Sequence, residues 1–204
     1  QGITVLESPM FTAGIGYLTL LFNTNGVLQE DLPYVGLLKS VLGYVDTEHY
    51  TYGDLTSEIY LNSGGIDFSV TSYPNLQDSE KFTGVFVARI KVLYDKMDFA
   101  FSILAEIFTR SKLEDEKRLG EILAECKSRA RMRLENSSHS AAVARATSYF
   151  SPTSSYNDCT GGIGYYFFLE KVGREFEEPE SRKALVEKLR QVCSRVFTQD
   201  RMLV

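Results

Sequence analysis

The apolar residues of this chain change their spacing partway along it, and that change limits the folds open to it. Ile66, Phe68 and Val70 alternate with Asp67, Ser69 and Thr71; after a loop, Phe82, Phe86, Ala88, Ile90 and Val92 alternate with Thr83, Val85, Arg89 and Lys91. A period of two belongs to a strand with one face buried, and two such stretches in succession read as neighbouring antiparallel strands. From Met97 onward the apolar residues recur at every third or fourth position, which is one face of a helix. Met97, Phe101, Leu104 and Phe108 form a first stripe. Leu119, Ile122, Leu123 and Cys126 form a second, starting near Asp115, where Glu114, Asp115 and Glu116 suit the positive end of a helix. Asn136-Ser137-Ser138 interrupts the pattern before it resumes through Ala142, Ala146 and Tyr149, so the long helix breaks there. Two more helices are expected, around Tyr156 to Lys171 and Pro179 to Phe197.

Upstream, Phe11 to Asn23 alternates and is rich in Tyr, Leu, Thr and Phe, which predicts a covered strand ended by Asn23-Thr24-Asn25-Gly26. Leu32, Val35, Leu38 and Leu42 predict a helix from Leu32 to about Tyr44, with Asp31 as its N-cap and Pro33 in its first turn. Thr51 and Asp54 form a capping-box-like pair for the next helix, whose stripe is Leu55 and Ile59 and which stops at Gly64-Gly65. Met202-Leu203-Val204 looks like the start of a further strand. The order is strand, two helices, two strands and then several helices. That is α+β, with helices packed on one face of a small antiparallel sheet, and not alternating β-α-β. A chain of 204 residues, 44% of them hydrophobic, buries enough to be one domain, residues 1–204. Because it opens on Gln1 without an initiator Met or a signal pattern, it reads as a domain excised from something larger and truncated at both ends.

Charge and residue usage exclude several function classes. With 22 Lys and Arg against 27 Asp and Glu the net charge is −5, which argues against a nucleic-acid surface. The longest apolar runs, Gly16 to Phe22 and Gly161 to Leu169, fall well short of the roughly 20 residues that cross a bilayer. Cys126, Cys159 and Cys193 are an odd set without C-x-x-C spacing, so neither a disulfide framework nor a structural zinc site is suggested. His49 and His139 lie in neither H-E-x-x-H nor H-x-x-E-H. His139, at the helix break, reads as a polar capping residue and His49 as a loop residue. Gly161-Gly162-Ile163-Gly164 follows no strand and lacks the third glycine or the Gly-Lys-Ser of a phosphate loop, so close helix packing explains it better. Lys127, Arg129, Arg131 and Arg133 spread over more than one direction of a helix and read as a solvated basic face. Asn136-Ser137-Ser138 matches a glycosylation sequon without a secretory context. No catalytic and no metal-ligating residue is put forward, and substrate-binding residues are unknown.

Taken in order, several local strings resemble one family. They are Gly14-Ile15-Gly16-Tyr17 leading a strand that ends Phe22-Asn23-Thr24; Leu32-Pro33-Tyr34 opening a helix with Leu37, Leu38, Val41 and Leu42; and Tyr52-x-x-Leu55-x-x-x-Ile59. Then come Gly64-Gly65-Ile66, Ser138-His139-Ser140-Ala141 and the segment Gly161 to Leu169. The pattern is similar to the pitrilysin/insulinase-type zinc metallopeptidases, the inverzincins, and within them to the presequence-protease subfamily. The resemblance implies two bowl-shaped halves of two α+β domains each, enclosing a chamber for unfolded peptides. In that family zinc sits in the first domain, on H-x-x-E-H and a distal Glu. This chain has none of these and resembles the third domain, after the linker. No cofactor is therefore expected in this segment, and zinc is expected in the parent's first domain. In that family the substrate-holding Arg and Tyr come from the fourth domain; Arg145 and Tyr149 match them in type only, which does not carry the role over to them.

What the resemblance implies is a non-catalytic structural domain of a zinc metalloendopeptidase, supplying wall and shape. Its partners would be the other domains of the same polypeptide and peptide substrates, with no nucleic acid and no membrane. An inactive interaction or scaffold subunit of the same fold is the alternative, and an unrelated enzyme using Cys159 or His139 would rest on residue types alone. The unpaired cysteines favour a reducing compartment, by default the cytoplasm.

Overall fold

In the computed structural model, which describes residues 2–78 and 80–204, the first strand, β1 (Ile15–Asn23), starts later than its alternation suggests. The reason is local. Ala13 and Gly14 take left-handed conformations, φ 50° and 85°, and the Ile15 N–H donates to the Thr12 carbonyl at 3.1 Å. A strand cannot pass through such a turn. Beyond it, β1 pairs antiparallel with β3 (Phe82–Leu93), and β3 pairs antiparallel with β2 (Ile66–Pro74). β4 (Met202–Leu203) closes the far edge of β1, as the C-terminal residues foretell, giving the order β2-β3-β1-β4.

The register sorts the side chains by face. Phe22 stands opposite Phe86, Leu20 opposite Ala88 and Leu18 opposite Ile90; Val70 and Phe68 continue the row on β2. These residues face the helices, while Tyr17, Arg89, Lys91 and Asp67 occupy the other parity and are exposed. The covering helices are α1 (Leu32–Val41), α2 (Tyr52–Asn62), α3 (Met97–Arg110), α4 (Glu116–Asn136), α5 (Ser138–Thr147), α6 (Pro152–Gly161), α7 (Ile163–Glu175) and α8 (Pro179–Val196). The fold class is thus the expected α+β, with helices packed against one face of an antiparallel sheet.

Most local signals act as expected. Thr51 accepts from the Asp54 N–H at 3.2 Å and donates its hydroxyl to the Asp54 carboxylate at 2.7 Å. Leu119, Ile122, Leu123 and Cys126 face inward on α4, and that helix breaks at Ser137. Three signals act otherwise. The helix expected from Tyr156 to Lys171 is two helices, because Gly162 is extended between α6 and α7. Phe101 is exposed, since the buried stripe of α3 runs through Ala100, Ile103, Leu104 and Ile107. Asp31 precedes α1 without capping it; its carboxylate turns inward instead.

Five aromatic rings gather where the sheet meets the helices. Phe197, just past α8, lies 4.6 Å from Phe108 of α3, 5.1 Å from Phe86 and 5.1 Å from Phe22 between ring centroids, and Phe68 lies 5.9 Å from Phe86. Edge-to-face packing of this kind adds to the large area that each ring removes from water. Phe86 is fully buried at the centre. Phe86→Ala should lower the unfolding free energy by about 3–5 kcal/mol, read as a fall in the urea midpoint with little change in slope.

A second anchor fastens the loop between α1 and α2 to the end of α3. Glu106 of α3, only 6% exposed, accepts from the His49 N–H at 3.1 Å, and its carboxylate lies 3.0 Å from His49 Nδ1 and 3.2 Å from Arg110 Nη1. Beside it, Glu48 N–H donates to the Arg110 carbonyl and Lys112 N–H to the Asp46 carbonyl. Burial by itself would raise the Glu106 carboxyl. Hydrogen bonds from Thr47, His49 and Arg110 overcome it and hold the group down, from 4.5 to about 2. A carboxyl depressed on folding stabilises the fold above its unfolded value and loses that contribution as pH falls. The protein should therefore lose on the order of 2 kcal/mol between about pH 4.5 and pH 2 from this group. Urea midpoints taken across that range should fall more steeply for the wild type than for Glu106→Gln, with the two curves converging at the acid end.

Candidate functional site

Three carboxylates are buried in the helical layer: Asp31 and Asp158 meet cations from other elements, while Glu106 meets Arg110 of its own helix and His49 of the loop before α2. Asp31, 1% exposed, accepts from Lys188 Nζ at 2.8 Å and from Arg195 Nη1 at 3.2 Å, both on α8. Glu106 is the second. Asp158 of α6 is the third: it pairs with Arg145 of α5 and accepts from the Gly164 N–H at 3.2 Å, in the first turn of α7. The positive end of α7 is thus occupied by the protein's own anion. A Cβ on Gly162 would come within 2.7 Å of the Asp158 carboxylate, and one on Gly164 would meet it closer still. The Gly161-Gly162-Ile163-Gly164 string therefore serves close helix packing, as its sequence context suggests. Arg145 also lies over the Tyr149 ring, 5.2 Å from its centroid.

The residues that sequence reasoning considered for chemistry are not brought together. His49 lies in the loop before α2, its Nδ1 shared between Glu106 and Arg110. His139 lies exposed in the first turn of α5 and, among the described residues, makes no capping hydrogen bond. Cys126, Cys159 and Cys193 are free thiols on α4, α6 and α8. Burial raises all three, Cys193 to about 12, so they stay protonated and weakly nucleophilic near neutral pH. Glu106, held near 2, is too weak a base for proton abstraction at neutral pH. Among the described residues no group of three or more His, Cys, Asp and Glu is placed to hold a metal ion. The described residues do not fit zinc. Arg129 and Arg131 pair with Glu125 and Glu135 along α4, in keeping with a solvated basic face. No helix of the described residues is long and apolar enough to cross a membrane.

The concave surfaces lie elsewhere. A cleft of about 800 Å³ opens between the turn after β1 and the β2–β3 hairpin, lined by Thr24, Asn25, Tyr73, Lys81, Phe82 and Tyr156. Tyr156 is fixed there by its 2.9 Å hydrogen bond with Thr24, and burial pushes its hydroxyl up to about 12. A second, of about 330 Å³, lies between α1, α2, α4 and β2 and includes Lys39. Lys39, Asp31, Glu106 and Asp158 went unremarked as a set in the sequence. Only Asp31 carried a signal, and that signal pointed to a helix cap. What these groups do chemically is lock elements together; Glu106 meets an imidazole, His49, but among the described residues no Ser, Thr or Cys side chain is hydrogen-bonded to that ring.

Comparison with known proteins places this arrangement. Protein HypA of Clostridium perfringens is 30% identical over the whole of this chain, which corresponds to 21% of that protein. The mitochondrial presequence protease of Yarrowia lipolytica is 27% identical over 93% of the chain and 19% of its own length. Presequence protease 1, chloroplastic/mitochondrial, of Arabidopsis thaliana is 24% identical over 87% of the chain and 16% of its length. The chain thus spans about a fifth of the length of the curated relatives it matches. A conserved protein from Enterococcus faecalis V583 shares the fold, with a TM-score of 0.60 at 16% identity over 93% of this chain and 44% of that one. The family model for the segment associated with peptidase family M16, subfamily C, matches residues 1–172. The chain belongs to this peptidase-associated family, as a non-catalytic domain of the pitrilysin type related to presequence proteases.

Proposed function

We propose that this chain is a structural domain of a larger zinc metalloendopeptidase that degrades unstructured peptides in a closed chamber. The observation that carries the reading is the match to presequence proteases over 93% and 87% of this chain, in proteins of which it is about a fifth. Residues 1–204 form one α+β domain of that parent. Zinc and the groups that work with it belong to another part of the polypeptide. The domain's own contribution is shape. Its helical face is filled and locked by buried ion pairs, while the other face of the sheet presents Tyr17, Arg89, Lys91 and Asp67. A rigid wall of this kind lets the halves of the parent close over an extended peptide and exclude folded proteins by size, as lids do elsewhere. Its partners are the other domains of the same chain and the enclosed peptide. The compartment is a reducing one, cytoplasmic as the thiols suggest, or the organelle interior that the relatives' names carry.

The test compares the natural polypeptide containing this segment with residues 1–204 alone. The natural polypeptide should be several times longer than this chain and should cleave an unstructured peptide in a reaction that a zinc chelator stops. Residues 1–204 alone should neither bind stoichiometric zinc nor cleave. Stoichiometric zinc together with cleavage by residues 1–204 overturns the reading. A natural polypeptide no longer than this chain, held in a stable complex, replaces it with an interaction subunit.

A further inference from the structure

Asparagine is a thermolabile side chain, and the residue after it decides how readily it reacts. Of the six asparagines in the chain, only Asn25 is followed by glycine. Covalent geometry alone brings the main-chain nitrogen of the next residue within reach of the asparagine Cγ, because the two close a five-membered ring. A side chain on that next residue crowds the attack, and a hydrogen bond from its N–H ties the nitrogen down.

The fold protects the other asparagines. After Asn23, the Thr24 N–H donates to the Gly84 carbonyl at 2.9 Å; after Asn62, the Ser63 N–H donates to Ile59 at 2.9 Å; after Asn136, the Ser137 N–H donates to Arg133 at 3.0 Å. Asn157 lies inside α6, and Asn75 is followed by the branched side chain of Leu76. Asn25 and Gly26 are exposed in the turn after β1, which the Val27 N–H closes onto the Thr24 carbonyl at 2.9 Å. Among the described residues the Gly26 N–H makes no hydrogen bond.

Two groups favour ring closure at this turn. The Gly84 N–H donates to Asn25 Oδ1 at 3.2 Å, and that oxygen gathers negative charge as the nitrogen attacks Cγ. The Arg201 guanidinium lies over Gly26, so close that a Cβ on this glycine would overlap it. A cation there stabilises the deprotonated amide nitrogen that attacks.

We propose that Asn25-Gly26 is a site of spontaneous deamidation, promoted by Arg201. The Gly26 nitrogen loses its proton to solvent and bonds to Asn25 Cγ. The Cγ–Nδ2 bond breaks, and Nδ2 takes up a proton and leaves as ammonia, so that a succinimide remains. Water then opens the ring at either carbonyl. Breaking the new bond to Cγ gives aspartate; breaking the bond between the Gly26 nitrogen and the Asn25 main-chain carbonyl carbon gives isoaspartate. Either product places a negative charge at the 800 Å³ cleft that Asn25 lines, and isoaspartate also lengthens the turn by one main-chain carbon. The site does not depend on whether the parent degrades peptides.

The experiment incubates the full natural polypeptide in mildly alkaline buffer beside a synthetic peptide of residues 20–30, and follows each asparagine by mass spectrometry of the digest. Asn25 should gain one mass unit and split into aspartate and isoaspartate forms, at a rate within about tenfold of the free peptide's. Asn23, Asn62, Asn136 and Asn157 should keep their mass, which also reports that the fold is intact. Arg201→Gln, with those four still protected, should slow the conversion roughly threefold, as for one partly screened charge. Asn25→Gln, which would need a larger ring, should gain no mass at that position. A native Asn25 that keeps its mass while the free peptide converts overturns the proposal, as does an unchanged rate in Arg201→Gln.

Discussion

The aromatic cluster on the covered face of the sheet is the contact on which the rest of the molecule depends. Phe22, Phe68 and Phe86 come from three strands, Phe108 from α3 and Phe197 from the residue after α8, so one set of rings joins the start, middle and end of the chain. The strands supply their rings by register: Phe22 faces Phe86 across β1 and β3, and Phe86 faces Val70 across β3 and β2. Once these rings leave water, the positions of α3 and of the C-terminal end of α8 follow. The two-residue β4 is then carried alongside β1, where Met202 pairs with Phe22.

Around that apolar centre, the helices are held by buried charge. Asp31, Glu106 and Asp158 each lie nearly out of water; Asp31 and Asp158 meet cations from other elements, and Glu106 meets Arg110 of its own helix and the His49 ring of the loop before α2. Buried ion pairs of this sort add less to stability than their number suggests, because removing two charges from water is costly. Breaking one is severe, however, since it strands a charge. Such pairs therefore favour one arrangement of helices over its neighbours. At Glu106 the partners that hold the carboxylate in place also hold it ionised.

Much of the fold was legible from spacing alone. The alternation at Ile66–Pro74 and Phe82–Leu93, the capping pair Thr51 and Asp54, and the break near Asn136 are all written within one element or one turn, and each stands as expected. The misread places are those where a distant partner decided the outcome. Asp31 has the residue type and position of an N-cap, but Lys188 and Arg195, 157 and 164 residues further on, draw its carboxylate away. Phe101 fits a helical stripe by spacing, yet the side of α3 that meets the sheet runs through Ile103 and Ile107. Gly162 splits a periodic run where the Asp158 carboxylate reaches the Gly164 N–H in the first turn of α7.

By itself the sequence determined the alternation of periods, hence the α+β class and the order of elements, and it determined that no H-x-x-E-H helix is present. Both are local properties, set by backbone geometry over a few residues. Tertiary structure alone decided which charges meet, that the glycine-rich turn would be filled by Asp158, and that the Lys39 amine would be brought to the Thr160 carbonyl. Those outcomes depend on how whole helices pack, and packing joins residues that no spacing rule connects.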